Sequence, residues 1–382
     1  MANSRSWKIA TIRGVELKLH FSLLILLVYV VMVASMQYPL VAKQAGLDPA
    51  SLRGGPLIWG FIFAIALLVS VAIHEFGHVL VAQAHGVRVR GITLMMLGGM
   101  SEMEEMPEKP YAEFKLSIIG PIVSFAIAGL LFFLRSLTSS GELVLFTSWL
   151  GTVNLVLAIF NLVPAFPLDG GRALRSVLSA RQGKLRGTQV AVAISKSLAW
   201  ALGILGLMGM NFLLILIAFF VYTAANSELF LLTSRTLLKD VKAGEIGIRT
   251  RVLEQAEFMD STAEEMITLR TSILPVRIMA PPGAAIVRLA SFRRIPRDHW
   301  RHTRIESVME PVAKVLDVNE PLSDNLPVLA SNPGGALPLK TEDGRIVGIV
   351  RSADVFELMQ FRSLRPESSA SARDRDDHKR AA

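Results

Sequence analysis

Hydrophobic residues in the first 240 positions fall into long runs that are separated by short polar segments. A run of about 20 apolar residues can cross the hydrocarbon core of a bilayer as a helix. Six runs reach that length, and the fifth is the least regular, because it contains Ser195, Lys196 and Ser197. The pattern therefore predicts a polytopic α-helical membrane protein with about six transmembrane helices. The predicted spans are residues 19–41, 57–84, 114–134, 143–163, 190–208 and 211–232.

The pattern changes after the sixth run into polar sequence of mixed charge, with Pro-Gly turns and short β-like runs such as residues 345–350. This change predicts a separate α/β domain. The last residues are rich in Ser, Arg and Asp, a composition typical of disorder. The predicted segments are a cytoplasmic N-terminal segment at 1–18, a six-helix membrane domain at 19–235, an α/β domain at 236–362 and a disordered tail at 363–382.

Composition agrees with a membrane protein. The chain has 382 residues, of which 52% are hydrophobic, and its mean hydropathy of +0.46 is too high for an ordinary soluble domain. With no cysteine, disulfides and thiolate metal ligands are excluded. The net charge of +8 would suggest nucleic-acid binding in a soluble protein. Because no basic patch is interleaved with aromatic residues, we predict no nucleic-acid partner. The first apolar run is too long for a cleavable signal peptide.

The distribution of Lys and Arg predicts the orientation of the chain. Basic residues are frequent in residues 1–18 and 172–196, and they are sparse in the loops 43–53 and 135–142. Loops rich in Lys and Arg remain on the cytoplasmic side of a membrane. Both termini are therefore predicted to be cytoplasmic, which an even number of spans permits. The expected location is the cell membrane, with the lipid bilayer as the surroundings of the first domain.

The second predicted span contains the motif His74-Glu75-Phe76-Gly77-His78. In a helix, His74 and His78 lie one turn apart on the same face, so that both imidazoles can bind one divalent metal ion. Glu75 beside them can act as general base on water. Three ionisable groups are costly in a membrane span and require a functional reason or a polar partner. The motif therefore predicts a metal site with Glu75 as catalytic residue.

A third metal ligand is expected from the end of the fourth span, because a catalytic zinc site normally has three protein ligands. The two prolines and two glycines between residues 164 and 171 cannot continue a regular helix. At 1.5 Å per residue, this break lies at about the same depth as His74. Asp169 is therefore the predicted third ligand. Asn161, at the end of the helix, is predicted to hydrogen-bond a substrate carbonyl or an oxyanion.

Between the second and third spans, residues 87–94 alternate and are rich in β-branched side chains, which predicts a strand. We expect a turn at residues 97–100. Gly98 and Gly99 in it either only form the turn or allow substrate backbone to approach closely. Non-helical backbone at membrane depth requires burial in protein or a wet cavity.

These motifs together resemble the site-2 protease family of intramembrane zinc metalloproteases, over roughly residues 14 to 230. The resemblance rests on His74-Glu75-Phe76-Gly77-His78, Leu97-Gly98-Gly99, Gly120-Pro121 and the pattern from Asn161 to Gly171. It implies that zinc is bound by His74, His78 and Asp169 and that Glu75 activates water. It also implies that the strand region presents an edge to an unwound segment of a single-span membrane substrate.

The C-terminal part resembles the branch of that family with a pair of CBS repeats. The second repeat contains Glu306-Ser307-Val308-Met309-Glu310-Pro311 and the segment from Gly344 to Asp354; the first, at about 239–296, is degenerate. The resemblance implies a regulatory domain, and it leaves open a homodimer and an adenine nucleotide ligand. No acidic residue in the first repeat corresponds to Asp354, which weakens the expectation of a paired nucleotide site.

Two other functions are compatible with parts of the pattern. A membrane transporter or channel regulated by CBS repeats could use the His/Asp constellation as an ion path, but the expected repeats with matching broken helices are not found. A catalytically inactive scaffold is the second alternative, and the intact Glu75 argues against it.

Overall fold

The computed structural model describes residues 6–96, 98–103, 110–279 and 283–364. The chain divides into two units, Met1–Phe230 and Leu231–Ala382. The predicted disordered tail lies outside the described residues from position 365 onward.

Among the described residues, six helices are long and apolar enough to cross a membrane, which confirms the predicted fold class. The boundaries differ from the prediction at several ends, because polar residues continue helices beyond the apolar runs. The six helices are α1 Ser22–Gln44, α2 Gly55–Ala84, α3 Pro110–Ser136, α4 Gly141–Asn161, α6 Lys184–Met208 and α7 Phe212–Leu238.

The fifth span begins six residues earlier than predicted, at Lys184. Its polar residues are explained by protein contacts. Ser195 is fully buried, donates a hydrogen bond to the Ala191 carbonyl at 2.8 Å and accepts one from the Phe166 amide at 3.0 Å. A polar side chain inside a span is tolerated when its hydrogen bonds are satisfied within the protein.

A seventh helix in this unit, α5 Asp169–Gln182, was not predicted. Only a break was expected after the fourth span. The helix is short and amphipathic rather than apolar, so it lacks the hydropathy signal of a span. Asp169 is its first residue, and a carboxylate in the first turn of a helix is favoured by the helix dipole.

A four-stranded sheet lies within the first unit, in the order β1-β2-β3-β4. The strands β2 and β3 are parallel, while the outer pairs are antiparallel. The predicted strand is present as β3, but the predicted turn at 97–100 is wrong, because Gly98 already begins β4. The N-terminal segment, which we predicted only as polar and basic, supplies the other two strands. The strands are β1 Ser6–Ile12, β2 Val15–His20, β3 Val89–Met95 and β4 Gly98–Met103.

The sheet packs against α2 through a small apolar core. Val79 and Ala82 on α2, Ile92 and Leu94 on β3, and Leu116 on α3 are buried together. Each of these side chains is at most 4% exposed. Because this core lies one turn beyond His78, it fixes both the sheet and α3 relative to the motif-bearing helix.

The second unit contains two four-stranded sheets with the same pattern of strand directions. One has the order β6-β7-β8-β9 and the other β10-β11-β12-β5. In each, the first pair is parallel and the next two pairs are antiparallel. The strands are β5 Ile248–Arg249, β6 Leu253–Glu254, β7 Ile273–Arg277, β8 Ala284–Arg288, β9 Glu310–Pro311, β10 Leu316–Asp317, β11 Ala336–Lys340 and β12 Ile346–Arg351.

This repetition confirms a tandem α/β repeat of the CBS-like kind, including the first repeat that is degenerate in sequence. The repeats exchange their leading strands, because β5 precedes the first repeat but pairs with the sheet of the second. The strand β9 makes the reciprocal exchange. The helices are α8 Ala243–Ile246, α9 Met259–Thr268, α10 Leu289–Phe292, α11 Leu322–Ser331 and α12 Ser352–Ser363.

The two repeats differ at the position of Asp354. In the second repeat, Arg351 at the end of β12 binds Asp354 at 2.6 Å. In the first, the position three residues after Arg288 is Ser291, and both contact Glu310 at 2.6 to 2.7 Å. Burial raises the pKa of Glu310, but the hydrogen bonds from Arg288 and Ser291 lower it by more, so that it lies below its ordinary value. The carboxylate that the first repeat lacks is thus supplied by β9.

Candidate active site

Three side chains that were predicted as metal ligands meet in the first unit. His74 and His78 lie one turn apart on α2, and Asp169 begins α5. The Asp169 Oδ2 atom lies 3.3 Å from the Nε2 atom of each histidine, and the two Nε2 atoms are 3.4 Å apart. The three potential ligand atoms therefore form a nearly equilateral triangle.

The size of this triangle fits a zinc ion. Zinc binds histidine nitrogen and carboxylate oxygen at about 2.0–2.2 Å in tetrahedral geometry, which places neighbouring ligand atoms about 3.3–3.5 Å apart. The observed separations of 3.3 to 3.4 Å match that spacing. Three protein ligands leave the fourth position for water or substrate, as catalytic zinc sites require.

Both imidazoles are oriented by α3. The Nδ1 atom of His78 donates to the Leu116 carbonyl at 2.6 Å, because a carbonyl can only accept. The His78 Nε2 lone pair is consequently free for a metal. The Nδ1 atom of His74 is 2.9 Å from the hydroxyl of Ser124, which is fully buried. Such partners fix the ring orientation and basicity of ligand histidines.

Gly120 allows α3 to approach the two histidines. A Cβ atom at this position would lie less than 3.0 Å from the Nε2 atoms of both His74 and His78. The sequence singled out Gly120-Pro121 only through the family resemblance. The structure supplies the physical reason, since any side chain at Gly120 would occupy the space beside the ligand atoms.

Asp169 is held in place by the segment that precedes it. The Phe166 amide donates to Ser195, and the Leu168 amide donates to the Ala165 carbonyl at 2.9 Å. Cβ atoms at Gly170 and Gly171 would lie less than 3.0 Å from backbone atoms of residues 162–166. These two glycines thus let α5 start directly against the end of α4, which brings Asp169 to the histidines.

Glu75 lies beside the triangle and contacts β4. Its carboxyl group lies directly against the Gly99 backbone. A Cβ atom at Gly99 would lie less than 3.0 Å from the Glu75 carboxyl group, so only glycine permits this approach. Glu75 is half-buried and available to a cavity.

A cavity of about 610 Å³ joins the predicted site residues. His74, Glu75, His78, Gly99, Asn161 and Asp169 all line it. Asn161 is the last residue of α4, as the sequence predicted. Gly98 begins β4 and pairs with Met95. The arrangement brings together three potential metal ligands, an adjacent carboxylate and a cavity.

A buried ion-pair cluster behind the site was not predicted. Arg175 on α5 binds Glu113 at the start of α3 and Glu228 on α7, and its Nε atom is 2.7 Å from the Glu113 carboxylate. Its guanidinium also lies 5.5 Å from the Phe166 ring centroid. Arg175 belongs to the basic segment 172–196 that was used to predict orientation, but its side chain is only 6% exposed.

Replacing Arg175 by Met should destabilise the membrane domain by about 3–5 kcal/mol, because two carboxylates would lose their shared buried counterion. Thermal unfolding of the purified protein in detergent measures the effect. The matched control is Arg181→Met on the same helix, where the side chain is exposed and a change within about 0.5 kcal/mol is expected. Equal stability of both variants would contradict a role for the cluster in holding α5.

Comparison with known proteins identifies the family. The model of Peptidase family M50 matches residues 62–141 and 135–205. A zinc metalloprotease of Methanocaldococcus jannaschii is 31% identical over 368 residues, covering 95% of this chain and 98% of that protein. The chain belongs to peptidase family M50. This M50 protein is thus a zinc metalloprotease of the site-2 protease type, and the predicted cofactor, zinc, is confirmed.

Two solved structures are also similar to parts of the M50 chain. A site-2 protease from Methanocaldococcus jannaschii is 35% identical and covers 59% of this chain and 95% of its own, with a TM-score of 0.44. A CBS-pair protein from Arabidopsis thaliana is 15% identical and covers 33% of this chain and 98% of its own, with a TM-score of 0.28.

Proposed function

We propose that this M50 protease hydrolyses peptide bonds of single-span membrane proteins close to the cytoplasmic side of the membrane. The observation that carries the proposal is the triangle of His74, His78 and Asp169 beside Glu75, because both histidines and Glu75 lie on α2, a helix of membrane length. Ionisable groups in such helices are retained for function. The expected cleavage depth follows from the position of the motif near the end of α2.

His74, His78 and Asp169 are the proposed zinc ligands. When bound, zinc polarises the scissile carbonyl and lowers the pKa of water. Glu75 accepts a proton from the attacking water and then donates it to the leaving amine nitrogen, so that the proton balance closes within one turnover. The close packing of the Glu75 carboxyl group against Gly99 restricts its orientation.

Substrate is proposed to add to β4 as an extended strand. In the sheet β1-β2-β3-β4, β4 is an edge strand and lies directly beside Glu75. A helical substrate hides its peptide bonds, whereas an edge strand captures an unwound segment through main-chain hydrogen bonds. Gly98 and Gly99 allow close backbone approach, and Asn161, which also lines the cavity, can donate to a substrate carbonyl.

The proposed orientation places both termini in the cytoplasm of a cell-membrane protein. It rests on the concentration of Lys and Arg at residues 1–18 and 172–196. Arg175 no longer contributes to that argument, because it is paired inside the protein. Of the remaining basic residues of the second segment, Lys196 is half-buried and the others are exposed: Arg172, Arg181, Lys184 and Arg186.

The CBS-like unit is proposed to regulate the protease. An adenine nucleotide and a second copy of the chain are the two proposed partners, and one CBS-pair structure similar to this unit is described as a complex with AMP. In this chain, Arg351 forms an ion pair with Asp354. Ser291, at the corresponding position of the first repeat, donates a hydrogen bond to Glu310. A nucleotide would have to displace or share these contacts, so the two repeats are expected to bind it unequally.

Asp169→Asn tests the ligand assignment. Loss of a charged ligand should weaken zinc binding by more than the ~10–100-fold that is typical of lost outer-shell contacts. Chelator competition followed by metal analysis measures the change. Asp48→Asn serves as the control, since Asp48 caps the short helix at Pro49–Ser51 and is remote from the cavity. Wild-type zinc stoichiometry and affinity in Asp169→Asn would remove Asp169 from the ligand set.

The proposed activity itself is tested with a single-span substrate reconstituted with the protease in vesicles. Cleavage should stop with a zinc chelator and return when zinc is added. Mass spectrometry of the products locates the cleaved bond relative to the membrane. Cleavage that persists after complete removal of zinc, or that occurs only outside the transmembrane and adjacent segments, would contradict the proposal.

A further inference from the structure

The charges that line the catalytic cavity are not balanced. Among the described residues, its ionisable lining consists of His74, His78, Glu75, Asp169 and Arg172. With neutral imidazoles and a divalent zinc ion, the two carboxylates neutralise the metal. Arg172 then leaves one uncompensated positive charge. An uncompensated charge that lines a cavity favours a ligand that carries the opposite charge.

Arg172 is placed to act on a bound substrate. It follows Asp169 by three residues on α5, so the two side chains lie on the same face of the helix. Its side chain is exposed, and within the described ranges it makes no ion pair or side-chain hydrogen bond. Arg175, one turn further along, differs because two carboxylates already bind it.

We propose that Arg172 determines specificity by binding a carboxylate side chain of the substrate close to the scissile bond. This inference rests on the proposed function. The guanidinium presents paired N–H donors that match the two oxygens of a carboxylate. A substrate with Asp or Glu near the cleavage site would complete the charge balance of the cavity, whereas Lys at that position would add a second positive charge.

A charge-swap experiment in vesicles of neutral lipid tests this proposal. Three single-span substrates carry Asp, Asn or Lys at the same position beside the cleavage site identified for the wild type. The wild type should cleave the Asp substrate about 10- to 100-fold more efficiently than the Lys substrate, the range expected for a charge-assisted hydrogen bond. Arg172→Glu should reverse that order, and Arg172→Lys should keep it with a smaller ratio.

Arg181→Glu is the matched control, because it makes the same charge change about 14 Å further along α5 and outside the cavity. Its substrate preference should equal that of the wild type. Binding is measured separately by cross-linking each substrate to Glu75→Gln protein with and without Arg172→Glu. The natural absence of cysteine allows single cysteines to be placed for this purpose.

Three outcomes would overturn the proposal. Equal loss of cleavage for all three substrates would assign Arg172 to the reaction rather than to specificity. If Arg172→Glu kept the wild-type preference among the Asp, Asn and Lys substrates, Arg172 would contribute only to membrane orientation and not to specificity. A preference that appears only with anionic lipid would assign the guanidinium to a lipid headgroup. If the wild type cleaves none of the substrates, the proposed function fails first, and that result is distinct from cleavage without charge preference.

Discussion

Replacing Glu75 by Gln is expected to lower the rate of substrate cleavage by about 10²- to 10⁴-fold, the usual contribution of a general acid–base group. Gln cannot accept the proton of the attacking water or return one to the leaving nitrogen. It is isosteric with Glu and can still pack against the Gly99 backbone. The contact with β4 and the three proposed ligands should therefore persist, and zinc content should remain near that of the wild type.

Zinc content and cleavage rate must be measured on the same preparation. The assigned role of Glu75 is supported only if the variant keeps its zinc while its cleavage rate falls. Gln83→Ala, two turns further along α2 and outside the cavity, provides the control and should leave both quantities unchanged. Cleavage at the wild-type rate by zinc-loaded Glu75→Gln would require another proton acceptor. Loss of zinc together with activity would instead indicate that Glu75 supports the metal site.

The chemistry of the site could be predicted because it is encoded locally. His74 and His78 are related by helix geometry alone, and Asp169 could be assigned from depth, since two helices of known rise end at similar levels. The distances of 3.3 Å between Asp169 and both histidines agree with that prediction. Helix depth does not predict α5, because the amphipathic sequence of that helix lacks the high hydropathy of a membrane span.

The N-terminal hairpin could have been predicted in part from its sequence pattern, but the interpretation was based on its basic residues instead. Residues 15–20 alternate between apolar and polar side chains, which is the pattern of a half-buried strand. The basic residues around them were interpreted as a topology signal instead. The pairing of β2 with β3 is a contact between segments about 75 positions apart, and no local pattern specifies it.

Buried ion pairs could not be predicted from the sequence, for a different reason. Arg175 and Arg172 are three residues apart in an identical basic context, yet one is enclosed by Glu113 and Glu228 and the other faces the cavity. The difference arises because Glu113 on α3 and Glu228 on α7 reach Arg175. Sequence alone places both in one basic segment, so only tertiary structure separates a structural arginine from one that can contact substrate.

Gly120→Ala is expected to abolish zinc binding and therefore cleavage, although it adds only one methyl group. That methyl would lie less than 3.0 Å from the Nε2 atoms of both His74 and His78. The rings cannot withdraw easily, because their Nδ1 atoms are tied to Leu116 and Ser124 on the same helix as Gly120. Either α3 moves away and breaks these hydrogen bonds, or the methyl occupies the space of the metal.

Gly129→Ala is a stringent control for this change, because Gly129 lies on the same helix and a Cβ atom there would meet nothing within 4 Å. Its higher helix propensity should stabilise the protein by up to about 1 kcal/mol and leave zinc content unchanged. A folded Gly120→Ala protein that retains full zinc content would show that α3 can move away from the histidines with little loss of free energy. The orientation of the imidazoles by Leu116 and Ser124 would then not be needed for metal binding. Loss of zinc in Gly120→Ala alone would instead establish that the close approach of α3 defines the site.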